Sequence, residues 1–212
     1  MNNCFIILAA GSGTRFKSKK PKQYFLYKNK ELFEHSIIKS INSKLFKKIV
    51  LVVDDPKRIK KKFKNKLLVL KGGKERSDSS LIAIKAIKKF NPNYVLIHDA
   101  ARPNFSIILL KKIIKNLKTN NSVIPVVQPT DSLKYKYKNV FYNLKREKYF
   151  LTQTPQGFKF KELYKLAIRE KNTITDETTL FISNGQKPKF IKGENQNSKI
   201  TYRGDIESPK TF

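Results

Sequence analysis

At 212 residues, of which 39% are hydrophobic and 11% aromatic, the chain is long enough for a sizeable core and too apolar for a disordered protein. Its first apolar run, CFIILAA, is far shorter than the roughly 20 residues that span a bilayer and has no Lys or Arg before it, so we expect neither a transmembrane helix nor a signal peptide. A formal charge of +30 would by itself indicate a nucleic-acid or membrane partner, but only seven of the 46 basic residues are arginine, and abundant Lys, Asn, Ile and Phe are typical of A/T-rich codon usage.

Apolar, β-branched runs alternate with helical patterns along most of the chain. Five runs predict strands that end in loops: CFIILAA, KIVLVVDD, LLVLKGG, YVLIHDAARP and SVIPVVQPT. This alternation predicts a doubly wound α/β fold around a mainly parallel sheet. Cys4, the only cysteine, lies in the first run, so we expect a small buried hydrophobe, no internal disulfide and a reducing, cytoplasmic setting.

Two amphipathic helices are the clearest between these strands. The second is predicted over 106–118, with Ser106 as its N-cap. Their apolar stripes consist of Ala83, Ile84, Ile87 and Phe90 in the first helix and Ile107, Leu110, Ile114 and Leu117 in the second. Because both stripes have helical spacing, we interpret them as core.

The pattern changes after Asp131. The segment SLKYKYKNVFYNLKREKYFLTQTP alternates lysine with tyrosine and has KN as its turn, which predicts a β-hairpin, or arm, at about 133–152 that leaves the main sheet. Interleaved basic and aromatic side chains could bind single-stranded nucleic acid, but a projecting hairpin that packs on a second subunit fits at least as well. Without internal repeats or a Gly/Ser linker, we predict a single domain over 1–212.

Polar clusters follow four of the predicted strands, where open α/β sheets bind their ligands. They read AAGSGTRF, GGKERSDSS, HDAARP and QPTDS. The first is neither a P-loop nor a dinucleotide fingerprint, since Phe16 stands where a third small residue is needed. Gly11 and Gly13 permit close backbone approach to an anion, and Arg15 and Lys22 add positive charge, so we interpret this loop as a phosphate cradle.

Seven motifs occur in order from Leu8 to Thr201: AAGSGTRF with PKQY, GGKERSDS, HDAARP, TDSLK, TQTPQGF, TDET and NSKIT. Together they resemble the 2-C-methyl-D-erythritol 4-phosphate cytidylyltransferase family of the non-mevalonate isoprenoid pathway. The resemblance implies a Rossmann-like nucleotidyltransferase fold and the transfer of a cytidylyl group from CTP to methylerythritol phosphate, with release of pyrophosphate. It also implies Mg²⁺ as cofactor and a homodimer that forms through the arm.

The resemblance places roles on matching positions. Arg15 and Lys22 would stabilise the charge that builds when a substrate phosphate oxygen attacks the α-phosphorus. The CTP pocket would consist of Ala9, Ala10, Gly11, Gly13, Gly73, Arg76 and Ser79. The acceptor would be positioned by Asp99, Arg102, Ser132, Arg146, Thr154, Thr175 and Lys199. Ser132, where the family commonly has threonine, and Arg146 lie in the arm and would serve the neighbouring subunit.

Asp99 could accept hydrogen bonds from substrate hydroxyls or help to hold a magnesium ion that bridges phosphates, and the sequence leaves both roles open. We expect His98 to face the core, and Asp176 and Glu177 to cap the helix that follows them. The ending YRGDIESPKTF departs from the family pattern and predicts a short or absent last helix. Arginines that lysine could not replace in a bidentate phosphate grip fall on four motif positions: Arg15, Arg76, Arg102 and Arg146.

Three alternatives remain beside this interpretation. A ribitol-5-phosphate cytidylyltransferase would share the loop and the fold, although AAG and HDAARP favour the methylerythritol enzyme. A nucleic-acid-binding protein would explain the +30 charge but not the ordered motifs. An inactive homologue fits poorly because every expected catalytic cation is present. For Lys17, Lys19 and Lys20 we expect no role beyond solubility and a general attraction for anions.

Overall fold

The computed structural model describes residues 2–18 and 20–207. Its strands are β1 (Asn3–Ala9), β2 (Leu26–Tyr27), β3 (Lys30–Glu31), β4 (Lys48–Val53), β5 (Leu68–Lys71), β6 (Tyr94–Asp99), β7 (Ser122–Val127), β8 (Leu133–Tyr137), β9 (Val140–Leu144), β10 (Leu151–Thr152), β11 (Gln156–Lys159) and β12 (Lys189–Lys192). Its α-helices are α1 (Leu32–Asn42), α2 (Lys61–Lys64), α3 (Arg76–Ile87), α4 (Ile107–Leu117), α5 (Phe160–Ala167), α6 (Thr178–Ser183) and α7 (Gly204–Glu207). Lys19 lies outside the described residues.

The main sheet is mainly parallel, as predicted. Strand β1 lies between β4 and β6 and pairs with both in parallel, and β5 continues the sheet beside β4. On the other side, β11 runs antiparallel between β6 and β7, and β12 pairs with β7 in parallel. The five predicted strands are therefore confirmed, whereas β11 and β12 were not predicted.

Strand β1 explains why the first apolar run is continuous. Phe5, Ile7 and Ala9 belong to the core cluster that contains α1 and α4 residues, and Ile6 and Leu8 belong to the cluster on the opposite face, with α3, α5 and α6. A strand that is covered on both faces has no solvent side, so polar alternation disappears. Burial also raises the pKa of the Cys4 thiol to about 11, which agrees with a buried, unreactive cysteine.

Helix α4 forms as its sequence predicts. Ser106 has extended backbone, and its hydroxyl accepts a hydrogen bond from the Leu109 amide at 3.0 Å, which caps the helix. The buried face consists of Leu109, Leu110, Ile113, Ile114 and Leu117. Ile107, which the predicted stripe included, is only half-buried because the helix turns its Leu109 side toward the sheet. In α3, the predicted stripe residues Ala83, Ile84 and Ile87 are buried.

The hairpin after Asp131 consists of β8 and β9, which pair only with each other. Lys138 and Asn139 form its turn with φ of 43° and 65°, the left-handed geometry of a two-residue hairpin loop. The predicted span of 133–152 reaches beyond the hairpin, because Leu151 and Thr152 already pair with β7 in the main sheet. No helix in the described ranges is long and apolar enough to cross a membrane.

Candidate active site

The carboxyl ends of β1, β5 and β6 border one cavity of about 260 Å³. Its walls are the loop after β1, the turn between β5 and α3, and the segment that follows β6. The predicted site residues that line it are Ala9, Ala10, Gly11, Gly13, Arg15, Lys22, Gly73, Arg76, Ser79, Asp99 and Lys199. A parallel sheet thus brings residues that are up to 190 positions apart in sequence to one edge.

The loop after β1 is shaped by one glycine and one aromatic side chain. Gly13 has φ of 67°, a left-handed conformation that disfavours side chains, and it precedes a 3-10 turn at Thr14–Phe16. Phe16 is 2% exposed and its ring meets that of Phe25 edge-on at 4.8 Å. Anchoring Phe16 in the core leaves its neighbour Arg15 on the cavity wall. Phe16, which is incompatible with a dinucleotide fingerprint, therefore anchors this loop in the core.

Lys22 begins a 3-10 turn, Lys22–Tyr24, directly after Pro21. Its ammonium group donates to the Ile200 carbonyl at 3.0 Å, which leaves two N–H bonds for a ligand. Burial lowers the pKa of Lys22 from 10.5 to about 8, and the positive charges of Lys199 and Arg15 act in the same direction. Burial, with a smaller contribution from the neighbouring cations, therefore disfavours the protonated form of Lys22.

The turn between β5 and α3 is packed too tightly for side chains. A Cβ on Gly72 would lie 2.3 Å from the Cβ of Ala10, and one on Gly73 would lie 2.3 Å from Asp78. The Ser79 hydroxyl accepts from the Gly73 amide at 3.1 Å and donates to the Glu75 carbonyl at 3.2 Å. Since its hydroxyl proton is already donated, Ser79 shapes the turn and has only acceptor capacity left for a ligand.

Four charged side chains form a continuous ion-pair chain beside the cavity. Asp99 accepts from Arg76 Nε at 3.0 Å through Oδ1 and from Lys199 Nζ at 2.7 Å through Oδ2. The two Nη atoms of Arg76 donate to the two oxygens of Glu177 at 2.9 and 3.1 Å. Burial alone would raise the pKa of the Asp99 carboxyl, but Arg76 and Lys199 outweigh it and hold that pKa well below its usual range.

Glu177 was expected to cap α6, and this is wrong, because its carboxylate is fully buried and bound to Arg76. Asp176 does act as a cap, accepting from the Thr179 amide at 3.2 Å, and also accepts from Gln156 at 2.9 Å. No local pattern pairs Arg76 with Glu177, since the partners lie 101 residues apart. A carboxylate in the TDET motif next to a buried apolar run was the one available signal.

Thr154 lies beneath Asp99 and not in the cavity wall. Its hydroxyl accepts from the Asp99 amide at 3.0 Å and lies 3.1 Å from His98 Nδ1, to which it can donate. The other ring nitrogen of His98 then donates to the Arg102 carbonyl at 3.1 Å. Burial lowers the pKa of His98 to about 3, so the ring is neutral. His98 therefore faces the core, as expected, and orders the backbone of Asp99.

The remaining acceptor candidates lie outside this cavity. Arg102 donates to the carbonyls of Asn197 and Thr152, at 2.9 and 3.2 Å, and ties two loops together. Ser132, Arg146 and Thr175 are exposed, and Arg146 donates to the Thr130 carbonyl at the base of the hairpin. One chain alone does not bring these three to the cavity. Gln23, 4% exposed beside Lys22, lines the cavity although the sequence did not single it out.

The described residues do not fit a magnesium ion held by the protein itself. No group of three or more His, Cys, Asp or Glu side chains within residues 2–18 and 20–207 is arranged to hold a metal. Both oxygens of Asp99 already have cationic partners, so ligation by Asp99 would require Arg76 or Lys199 to leave. Asp99 therefore serves the ion-pair chain in this structure.

Comparison with known proteins agrees with this geometry. A family model described as 2-C-methyl-D-erythritol 4-phosphate cytidylyltransferase matches residues 3–211. The chain belongs to this family. A relative of that name from Clostridium acetobutylicum is 35% identical over 223 residues, which cover 99% of this chain and 96% of the relative. The family is a nucleotidyltransferase family, so the resemblance inferred from the ordered motifs is confirmed.

Some family members are longer. The "Bifunctional enzyme IspD/IspF" of Pelagibacter ubique is 47% identical over 209 residues, which cover 98% of this chain but 56% of that relative. The structure of the bifunctional IspDF from Campylobacter jejuni matches with a TM-score of 0.85 and 30% identity, over 98% of this chain and 54% of that one. The chain thus spans about half the length of the bifunctional members. The Francisella tularensis enzyme, with a TM-score of 0.81 and 29% identity, is covered to 97%.

Proposed function

We propose that the chain transfers a cytidylyl group from CTP to 2-C-methyl-D-erythritol 4-phosphate, giving 4-CDP-2-C-methyl-D-erythritol and pyrophosphate for isoprenoid precursor synthesis. The observation that carries this proposal is a cavity in which a glycine-rich turn and a second glycine turn meet five basic side chains, Arg15, Lys22, Lys74, Arg76 and Lys199. Such a cavity suits a nucleoside triphosphate, because main-chain N–H groups and fixed cations bind phosphates without a resident metal. Family membership supplies the substrate.

The reaction needs one bond made and one broken. An oxygen of the acceptor phosphate attacks the α-phosphorus of CTP, and the bond from that phosphorus to the pyrophosphate oxygen breaks. Negative charge grows on the non-bridging oxygens and on the leaving group, and Arg15 and Lys22 are the cavity cations that we assign to it. The contact with Ile200 holds the Lys22 ammonium group in place, so its two remaining N–H bonds need little reorientation to stabilise the transition state.

The nucleotide lies along the loop after β1 and the turn after β5 in this proposal. Ala9, Ala10, Gly11 and Gly13 supply main-chain contacts, and Gly73 lines the wall against which the pyrimidine ring lies. Ser79 holds the turn and can accept from the base, while Arg76 stays bound to its two carboxylates. Magnesium would have to come with CTP, since the described residues offer no group of ligands for it, and it would supply positive charge to the phosphates.

The acceptor approaches from the Lys199 side of the cavity. Lys199 provides one cation for its phosphate, and Asp99 reaches the same wall. Arg146, Ser132 and Thr175 would complete this side from a second subunit, with Thr154 and Arg102 holding the supporting loops. Support for a homodimer comes from the hairpin, whose Tyr135, Tyr137, Val140, Phe141 and Tyr142 are each 50–66% exposed. A reducing, cytoplasmic setting fits the lone buried Cys4.

Pyrophosphate release tests the proposal. The purified chain is supplied with CTP and either methylerythritol phosphate or ribitol 5-phosphate, with magnesium and after its removal by a chelator. We expect release with methylerythritol phosphate and magnesium only. A clear preference for ribitol phosphate would replace the acceptor, and no release with either, together with salt-sensitive RNA or DNA binding that survives Arg15→Ala, would favour a nucleic-acid-binding protein.

A further inference from the structure

One end of the ion-pair chain, Glu177, is buried and does not line the cavity. Glu177 has a side chain that is 1% exposed, whereas Lys199, at the other end, is 34% exposed on the cavity wall. Between them, Arg76 and Asp99 alternate in charge, and each link is a hydrogen-bonded contact of 2.7–3.1 Å. A buried carboxylate of this kind is retained only with a close cationic partner.

The order of contacts decides which atoms are free. Glu177 binds one N–H of each Nη atom of Arg76 and so fixes the guanidinium in a position where its Nε donates to Asp99 Oδ1. A single N–H on Oδ1 leaves Oδ2 of Asp99 available, and Lys199 occupies it. Without Glu177 the guanidinium would be able to turn until two parallel N–H groups match both oxygens of Asp99 and compete with Lys199 for Oδ2.

We propose that Glu177 is a positioning residue, which keeps Lys199 on Asp99 by holding the guanidinium of Arg76 in place. This inference rests on the proposed function for the role of Lys199, but not for the contact itself. Glu177 acts on Lys199 through Arg76 and Asp99 and touches neither substrate. Its removal releases Lys199 from a fixed place on the acceptor side of the cavity.

The variant Glu177→Gln tests the inference because it keeps the shape and removes the charge. Two readouts apply: the rate at which acetic anhydride acylates Lys199, measured by mass spectrometry with the exposed Lys161 as internal reference, and steady-state kinetics. We expect Lys199 to be acylated severalfold faster, since its ammonium group loses its carboxylate. In steady-state kinetics, the KM for the acceptor should rise about ten- to a hundredfold, because this is the usual loss when a binding group is misplaced. The KM for CTP should rise less.

A matched control is Glu34→Gln. Glu34 is also a buried glutamate with a lysine partner, Lys60, at 2.9 Å, but it lies at the start of α1, where glutamine keeps the capping box. It should leave Lys199 acylation and the acceptor KM unchanged. Glu177→Asp, which keeps the charge, should recover part of the wild-type behaviour in both readouts.

A double variant separates positioning from general loss of stability. In an Asp99→Asn background, Lys199 has already lost its partner, so adding Glu177→Gln should change Lys199 acylation little further. The inference is overturned if Lys199 in Glu177→Gln is acylated at the rate found in the Glu34→Gln control. Where Glu177→Gln does not fold, Glu177→Met, which is also uncharged and of similar volume, takes its place in this comparison. If the wild type releases no pyrophosphate, the proposed function fails, and the acylation readout still decides the contact.

Discussion

Lys22 is the cavity cation whose charge should depend on pH within the range of ordinary assays. Burial and the nearby Lys199 and Arg15 lower its pKa to about 8, while Asp99 and Asp205 oppose that shift. A lysine with a lowered pKa is charged below that pH and loses its proton as the pH rises through it. The bound triphosphate adds negative charge, which should raise the pKa again in the complex.

We therefore expect kcat/KM for CTP to fall above about pH 8, because this parameter reports the free enzyme. The fall in kcat should occur at higher pH. Measuring both profiles from pH 6 to 10 tests this. Lys22→Arg, whose guanidinium stays charged, should flatten the alkaline limb even if the rate is lower. An unchanged limb in Lys22→Arg would assign it to another group.

Replacing Lys22 by alanine should reduce turnover by about 10²–10³, the usual loss when one transition-state donor is removed. CTP affinity should change less, since Arg15 and the loop amides remain on the cavity wall. Single-turnover kinetics and calorimetric CTP binding measure the two effects separately. A wild-type rate in Lys22→Ala would remove this residue from the transition state.

At the scale of elements, the turn between β5 and α3 has no room for a side chain at Gly72. Gly72→Ala should destabilise the fold by about 1–3 kcal/mol, as overpacking does, because the new Cβ meets Ala10 and Ser79 at 2.3 and 2.8 Å. Urea unfolding measures this. Gly11→Ala, with nothing within 4 Å of its Cβ, is the matched control and should unfold near the wild-type midpoint. Equal midpoints for both variants would contradict the packing.

Elements with strong local signals were predictable, and elements defined by distant partners were not. Strand β1, the Ser106 cap of α4 and the Lys138–Asn139 turn each follow from a few adjacent residues. Strand β11 is four residues long, contains Gly157 and exists because it fits between β6 and β7. Because that pairing depends on tertiary contacts, no periodicity in the sequence predicts it.

The same distinction applies to the site. The glycine loop and its cations were found because they are close in sequence, and the structure brings them to one cavity. The partner of Arg76 was missed, because Glu177 lies far along the chain and its burial is visible only in the fold. Arg146 and Ser132 stay predictions, since a second subunit would have to supply them.

At the scale of the whole molecule, the proposed shared site predicts complementation between two inactive variants. Arg15→Ala disables a chain's own cavity, and Arg146→Ala disables the neighbour's. After subunit exchange at equal amounts, half of the dimers are mixed and each has one intact site, so activity should return to about a quarter of wild type. Exchange is verified by mass spectrometry of tagged chains. No recovery after verified exchange would place Arg146 within its own subunit's site.

The most direct test of the central claim follows the oxygen that attacks CTP. Methylerythritol phosphate carrying ¹⁸O in its phosphate group is incubated with CTP, magnesium and the chain. The masses of the products are then measured by mass spectrometry. Attack by the acceptor phosphate on the α-phosphorus predicts that all label remains in the CDP-methylerythritol product and that pyrophosphate is unlabelled. Labelled pyrophosphate, or no CDP-containing product, would contradict the proposed reaction.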